Sequence, residues 1–190
     1  MNSNRKNPEH PVFEMLQLAA LESYGILDTP PEIDFDHFVR VASKHFKAPI
    51  STISLIDEQR QWFKARIGIS LAETDREEAF CTHVVASGKT LIVHDAAVDG
   101  RFAFNPLVTA GPRIRFYAGA PLITPLKRCL GTLNVIDTVA RPQWSGDDTS
   151  ALETMAAQVM VLLEKRRANL VIQRALDDRP NEASAAVARR

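Results

Sequence analysis

Apolar residues recur at helical spacing from Phe13 to Tyr24. Phe13, Leu16, Ala20 and Tyr24 share a face with Met15 and Leu21 beside them, and Gly25 is placed to end the helix. Asp28-Thr29-Pro30-Pro31 resets the chain, and a second helix opens at Pro31 or Asp34 with Phe35, Phe38, Val39, Ala42 and Phe46 as one stripe ending before Pro49. Residues 51–57 alternate, with Ile53 and Leu55 on one face and Thr52 and Ser54 on the other, which predicts a strand. Glu58 to Arg60 reads as a turn and Trp62 to Ile67 as the returning strand of a hairpin. The charged run Glu73 to Glu78 predicts the start of a short helix that continues through Cys81 to Ala86 and stops at Ser87-Gly88. Leu91 to His94 is a short strand, and residues 95–112 read as short helical turns, a long irregular segment of the kind usually kept for function. A second hairpin follows, Ile114 to Ile123 with Leu130 to Ile136, turning at Pro125 to Arg128. The last element begins after Ser145-Gly146-Asp147-Asp148, and Leu152, Met155, Ala156, Val159, Leu162, Leu163, Leu170 and Leu176 give it a long helical stripe. Its portion after Arg166 exceeds what the domain's own core needs and invites a partner helix.

This pattern divides the 190 residues into a polar tail over 1–11, one domain over 12–176, and a second polar tail over 177–190. A chain of this length forms one core rather than two. Lys plus Arg and Asp plus Glu are equal at 23 each, so no overall positive field draws in nucleic acid or an anionic membrane. No apolar stretch approaches the roughly 20 residues that cross a bilayer, and no apolar segment follows the N-terminal basic pair to make a signal peptide. A cytoplasmic location is the expectation. Cys81 and Cys129 supply no disulfide framework and read as reduced thiols.

Two segments with the same ending, Leu55-Ile56-Asp57 and Val135-Ile136-Asp137, bracket the chemically varied part of the chain. Particular words within and around it carry a resemblance: ALESYGILDTPPE (20–32), IDEQRQWFKARIG (56–68), Phe80-Cys81-Thr82-His83, Arg101-Phe102 with Asn105-Pro106-Leu107-Val108, IRFYAGAP (114–121) and GTLNVID (131–137). Over residues 13–170 the chain resembles the GAF domain family, in the form found in bacterial sensor histidine kinases and diguanylate cyclases. The resemblance implies an α+β fold: a GAF-like (profilin-like) antiparallel sheet of five to six strands, terminal helices packed on one face and a ligand-pocket segment on the other. It also implies a stand-alone sensory module that signals through dimer helices to a separate partner, such as a kinase or cyclase. Asn134 stands where this subgroup carries Cys, so no thiol acts there. The chain lacks the Asp-Ile-Pro and Pro-Arg-Tyr words of bilin-binding phytochromes, so a bilin is not expected. No cofactor is identified. The free methionine sulfoxide reductases form an enzymatic branch of the family, but their cysteine-bearing words are not evident.

The candidate ligand-contacting residues are Ser54, Trp62, Phe80, Cys81, His83, Asp95, Asp99, Arg101, Phe102, Asn105, Phe116, Tyr117, Thr132 and Asn134. Cys81 and His83 are two apart, and on a helix such residues point away from each other, so a buried thiol beside a hydrogen-bonded imidazole is favoured over a nucleophile–base pair. Two potential ligands also fall short of a structural zinc, which needs four. Arg101 is suited to hold a carboxylate or phosphate and Asn105 to read a heterocycle edge. The equal alternative is that Asp95 and Asp99 cap turns while Arg101 bridges them. Strand alternation puts Phe116 and Tyr117 on opposite faces, one of them toward the pocket. Thr52, Ser54, Thr132 and Asn134 form a polar sheet face, which is either a cavity floor or a solvated surface, and burial of Asn134 separates the two. The leading expectation is a non-catalytic small-molecule sensor acting as a homodimer. The alternatives are a thiol redox sensor or sulfoxide reductase-like enzyme using Cys81, and a ligand-free dimerisation adaptor.

Overall fold

A computed structural model describes residues 10–177. The elements run α1 (His10–Ser23), α2 (Ile33–His45), β1 (Ile50–Ile56), β2 (Arg60–Ile67), β3 (Glu73–Asp75), α3 (Cys81–Ser87), β4 (Leu91–Val93), α4 (Pro106–Thr109), β5 (Phe116–Ile123), β6 (Cys129–Asp137) and α5 (Gly146–Asp177). The tails expected at 1–11 and 177–190 lie outside the described residues, except that His10, Pro11 and Asp177 are helical.

The strands pair antiparallel in the order β3-β2-β1-β6-β5-β4, so the two Asp-ended strands form the centre of one sheet. Each terminal aspartate takes an arginine close in sequence, Asp57 with Arg60 and Asp137 with Arg141, which makes the repeated ending a strand-closing device. One sheet face carries Ile53, Leu55, Trp62, Phe116, Leu133 and Val135 against α2 and α5. The other carries Ile56, Tyr117 and Cys129 against α3 and the segment around Phe102 and Val108.

The expected helix over Glu73 to Glu78 does not form. Residues Glu73 to Asp75 instead add an edge strand, pairing with Trp62, Gln61 and Arg60, and only Arg76–Glu78 turns as a short 3₁₀ segment. An open strand edge supplies backbone partners that outweigh helix propensity, and the Arg60 guanidinium holds Glu73 in place at 2.6 Å.

A bulge in β2 sets the remaining geometry. Ile53 pairs with Ala65 but Ser54 pairs with Phe63, leaving Lys64 as an extra residue. The Lys64 side chain is completely buried on the helix side, where its Nζ donates to Thr29 Oγ1 (2.9 Å), the Pro30 carbonyl (2.7 Å) and Glu32 Oε1 (2.7 Å). The same Glu32 oxygen accepts from Arg166 Nε of α5 at 3.0 Å, and Arg166 Nη1 also donates to the carbonyls of Tyr24 and Gly25. Tyr24 donates to Glu164, and the Arg167 guanidinium lies over the Tyr24 ring. The long helix is thereby tied to the α1–α2 turn and, through Glu32 and Lys64, to β2. Its start is fixed by a capping box, in which Ser145 Oγ accepts from the Asp148 N–H and the Ser145 N–H donates to Asp148.

Close approach rather than turn geometry explains Gly131. A Cβ there lies 1.8 Å from the Ser54 carbonyl oxygen across the β1–β6 pair, whereas nothing lies within 4 Å of one at Gly100. Gly131→Ala is therefore expected to lower stability at or beyond the top of the roughly 1–3 kcal/mol range for overpacking, while Gly100→Ala leaves the melting temperature unchanged, as circular dichroism melts of the two variants will read. Glu32 supplies a pH signature. Burial raises its pKa, but the hydrogen bonds from Lys64 and Arg166 outweigh burial and hold it below the usual carboxylate range. A depressed carboxylate contributes stability that is full above its unfolded pKa and is lost as pH falls through the folded one. Wild type is thus expected to lose more stability than Glu32→Gln as pH drops below the ordinary carboxylate range, measured as melting temperature against pH; parallel curves contradict the clamp.

Candidate functional site

Between the second sheet face and its cover lies a cavity of about 50 Å³. Its walls come from Ile50 and Thr52 of β1, Gln61 and Phe63 of β2, Thr74 of β3, Tyr117 of β5, and Asn134 and Ile136 of β6, with Phe80, Cys81 and Ile114 above. Ile69, Leu71, Leu107 and Pro112 complete the lining, and the exposed Leu71 and Pro112 mark its rim. Every lining side chain is uncharged.

The polar floor is buried, with Asn134 only 1% exposed, so the solvated-face alternative is overturned. Its groups satisfy one another. Thr52 Oγ1 donates to Asn134 Oδ1 at 3.0 Å and lies 2.7 Å from Ser54 Oγ. Asn134 Nδ2 is within hydrogen-bond reach of Ser54 Oγ (3.1 Å), Thr132 Oγ1 (3.0 Å) and Cys81 Sγ (3.5 Å). The Cys81 sulfur also meets Thr132 Oγ1 at 3.0 Å and the Tyr117 hydroxyl at 3.3 Å. A Cβ at Gly119 lies 2.1 Å from that hydroxyl oxygen, so the missing side chain there is what lets the phenol lie back along β5.

The sequence that builds this two-faced sheet matches a known family. A family model described as GAF domain matches residues 31–163. The chain belongs to the GAF domain family. Over 160 residues it is 38% identical to a cyclic di-GMP phosphodiesterase of Pseudomonas aeruginosa, covering 84% of this chain and 27% of that protein, so the chain spans about a quarter of its relative's length. Among solved structures, the GAF domain of an Acinetobacter phosphoenolpyruvate-protein phosphotransferase superposes with a TM-score of 0.60 at 20% identity, covering 82% of this chain and 95% of that one. The free methionine-R-sulfoxide reductase of Neisseria meningitidis superposes with a TM-score of 0.55 at 17% identity, covering 83% and 85%. These two share the fold with this GAF domain.

Within the GAF fold the fourteen candidate residues separate into groups. Phe80, Cys81, Tyr117 and Asn134 line the cavity, and Ser54 and Thr132 lie in the hydrogen-bonded floor. Phe102 stacks on Phe80 with ring centroids 4.0 Å apart, and the exposed His83 makes a T-shaped contact with Phe102 at 4.9 Å. Trp62 and Phe116 lie on the opposite face, in the helix-side core, because Trp62 pairs with the inward-facing Leu55 and Phe116 precedes Tyr117 by one strand position. They are not cavity residues. Arg101 does not bridge the two aspartates: it holds Asp99 alone, at 2.9 and 2.6 Å, while Asp95 takes Arg115 at 2.6 Å through both oxygens. These arginine bonds hold both carboxyls below the usual range. Asn105 caps α4, accepting from the Leu107 N–H and donating to the Glu78 carbonyl. Its amide is thus occupied within the protein.

Sequence reasoning missed Gln61, Phe63 and Thr74. Gln61 and Phe63 are two apart on a strand, and that spacing was the available signal; Thr74 was hidden by the helix expected there.

Cys81 and His83 form no pair. The thiol is buried and the imidazole is exposed on the other side of α3. Burial raises the Cys81 pKa despite bonds from Thr132, Tyr117, Ser54 and Asn134 that favour the thiolate. Burial pushes Cys129 up to about 12, and partial desolvation together with the Arg101 charge lowers the His83 pKa. A neutral, enclosed thiol is a poor nucleophile. Neither cysteine is expected to react with a thiol reagent such as DTNB in the native state at neutral pH, and both should react in denaturant; rapid native labelling of Cys81 contradicts this assignment.

Proposed function

We propose that this GAF domain is a non-catalytic sensory module that binds a small molecule in the sheet cavity and reports occupancy through α5, acting as a homodimer on a partner enzyme. The observation that carries the reading is the adjacency of Phe63 and Lys64. Phe63 forms part of the cavity wall, and the next residue, Lys64, points to the opposite face, where it is bonded to Glu32 and so to Arg166 of α5. A displacement of β2 at the cavity is carried directly to the helix clamp. A ligand that fits better in one clamp arrangement than in the other then shifts the balance between them.

The output surface is supported by exposed apolar stripes on both terminal helices. Val12, Met15, Leu16 and Ala19 stand on α1 at spacings of three, four and seven, and Val161, Ala168 and Ile172 share a face of α5. Leu163 is part of the buried core and is no interface residue; Leu170 approaches the turn at Gly25. The cyclic di-GMP phosphodiesterase among the relatives supports a nucleotide-signalling enzyme as the class of output. The fold likeness to a sulfoxide reductase lends the thiol alternative little, since Cys81 is enclosed and protonated. No helix among the described residues is long and apolar enough to cross a membrane, and a cytoplasmic setting suits a module of this kind.

Two measurements test the reading. In a thermal-shift screen of nucleotides, amino acids, organic acids and neutral metabolites, a true ligand at 100 times its dissociation constant is expected to add about 2.7 kcal/mol of stability; silence across the library favours the adaptor. Val161→Glu combined with Ile172→Glu is expected to convert a dimer to a monomer in light scattering without lowering the melting temperature, and an unchanged mass counts against α5-mediated pairing.

A further inference from the structure

Gln61 carries an unmet hydrogen-bonding demand inside the cavity. It is 6% exposed, its Nε2 donates to Thr74 Oγ1 at 3.0 Å, and its Oε1 has no protein partner. An unpaired buried acceptor costs about 1–3 kcal/mol, a cost that a bound donor would remove; of the two such acceptors among the described residues, Gln17 Oε1 and Gln61 Oε1, Gln61 is the one on the cavity wall. The floor, by contrast, needs nothing: Thr52, Ser54, Thr132 and Asn134 already satisfy one another. The rest of the lining is apolar or aromatic, including Phe63, Phe80 and Tyr117, and holds no Lys, Arg or His to receive an anion. Arg101 and Arg115 are each committed to an aspartate, and Arg113, between the lining residues Pro112 and Ile114, is an exposed residue whose Nε donates to the Ala110 carbonyl rather than facing the cavity lining. Burying a phosphate or carboxylate here leaves a desolvated charge unmatched, a cost that drives such groups elsewhere. Size points the same way, because about 50 Å³ lies well below the roughly 300–1,000 Å³ of drug-sized pockets.

We propose that the cavity takes a compact, uncharged molecule with an apolar body and one hydrogen-bond donor, of the phenol or short alcohol type, with the donor read by Gln61 Oε1. This rests on the reading above that the cavity is a ligand site. The body lies against Phe63, Phe80 and Ile114, and the donor end meets the Gln61–Thr74 pair beside β3. Cyclic nucleotides and organic acids are disfavoured as occupants.

The test compares phenol with toluene, its isostere lacking the donor, and with benzoate and cyclic GMP, by calorimetry on the full chain and on Gln61→Leu. Wild type is expected to bind phenol about fivefold or more tighter than toluene, although toluene is the more hydrophobic, as one recovered hydrogen bond requires. In Gln61→Leu the order inverts, and the unliganded variant melts no lower than wild type because an unpaired acceptor has been removed. Should that variant fail to fold, the phenol-to-toluene ratio on wild type decides alone. Equal binding of phenol and toluene overturns the role of Gln61. Binding of benzoate or cyclic GMP in preference to phenol overturns the ligand class while leaving the cavity a ligand site. If none of the four binds, the inference fails, and the reading of the cavity as a ligand site fails with it only when the broader thermal-shift library is silent as well.

Discussion

One extra residue in β2 governs which side chains reach which face of the sheet. Without the bulge, strict alternation keeps Ala65 in phase with Phe63 and Gln61; with it, Ala65 joins the helix-side core and Phe63 and Gln61 turn to the cavity. The displaced residue is a lysine, whose ammonium is fully buried only because Thr29, Pro30 and Glu32 supply three acceptors. A buried charge left with fewer partners is strongly unfavourable. The bulge and the α1–α2 turn therefore require each other. Glu32 extends the same constraint to Arg166 and hence to the end of the long helix that outruns the core.

The opposite face obeys a different rule. Sheet faces beneath helices are normally apolar, yet four polar residues are buried here in the middle of β1 and β6. They are tolerated because hydroxyl groups both donate and accept, so Thr52, Ser54 and Thr132 close a loop around the Asn134 amide. Asn134 is the hub, with its oxygen taking one bond and its nitrogen distributing the others. Cysteine at this position would offer no such two-sided group, so the network as built depends on Asn134 itself. Cys81 enters it as a fully buried wall atom, and that burial outweighs the four neighbours that favour the thiolate.

Much of this was legible in the chain. Alternation in STISLID gave β1 and its two faces, and the polar residues of β1 and β6 marked the face that burial of Asn134 identifies as a cavity floor. Three things were not. The bulge leaves no periodic mark in WFKARI, because Lys64 looks like an ordinary outward residue until Thr29, Pro30 and Glu32 are brought near it. β3 looked helical because its backbone partners lie eleven to fifteen residues away at Trp62 to Arg60 and carry no local signal. The arginines were read in the wrong pairing: Arg115 lies twenty positions from Asp95, and only the fold shows that it, not Arg101, reaches that carboxylate.

Magnitudes constrain how a cavity of this size can act on so long a helix. The best small ligands gain at most about 1.5 kcal/mol per heavy atom, so one of about five to seven heavy atoms has roughly 7–10 kcal/mol in total. Only the part that differs between two protein states shifts their balance, and a swing from 1:99 to 99:1 needs about 5.5 kcal/mol. A cavity serving as an input must therefore be linked to a clamp that yields for only a few kcal/mol. The Glu32 link fits that requirement. Its side chain is 40% exposed, so solvent screens its pairs with Lys64 and Arg166 and lets water replace them when they separate. The same cannot be said of the Lys64 ammonium, which is enclosed. Any rearrangement that separates β2 from α5 is easiest on the Arg166 side of Glu32, leaving Lys64 and its three acceptors together as the fixed half of the joint.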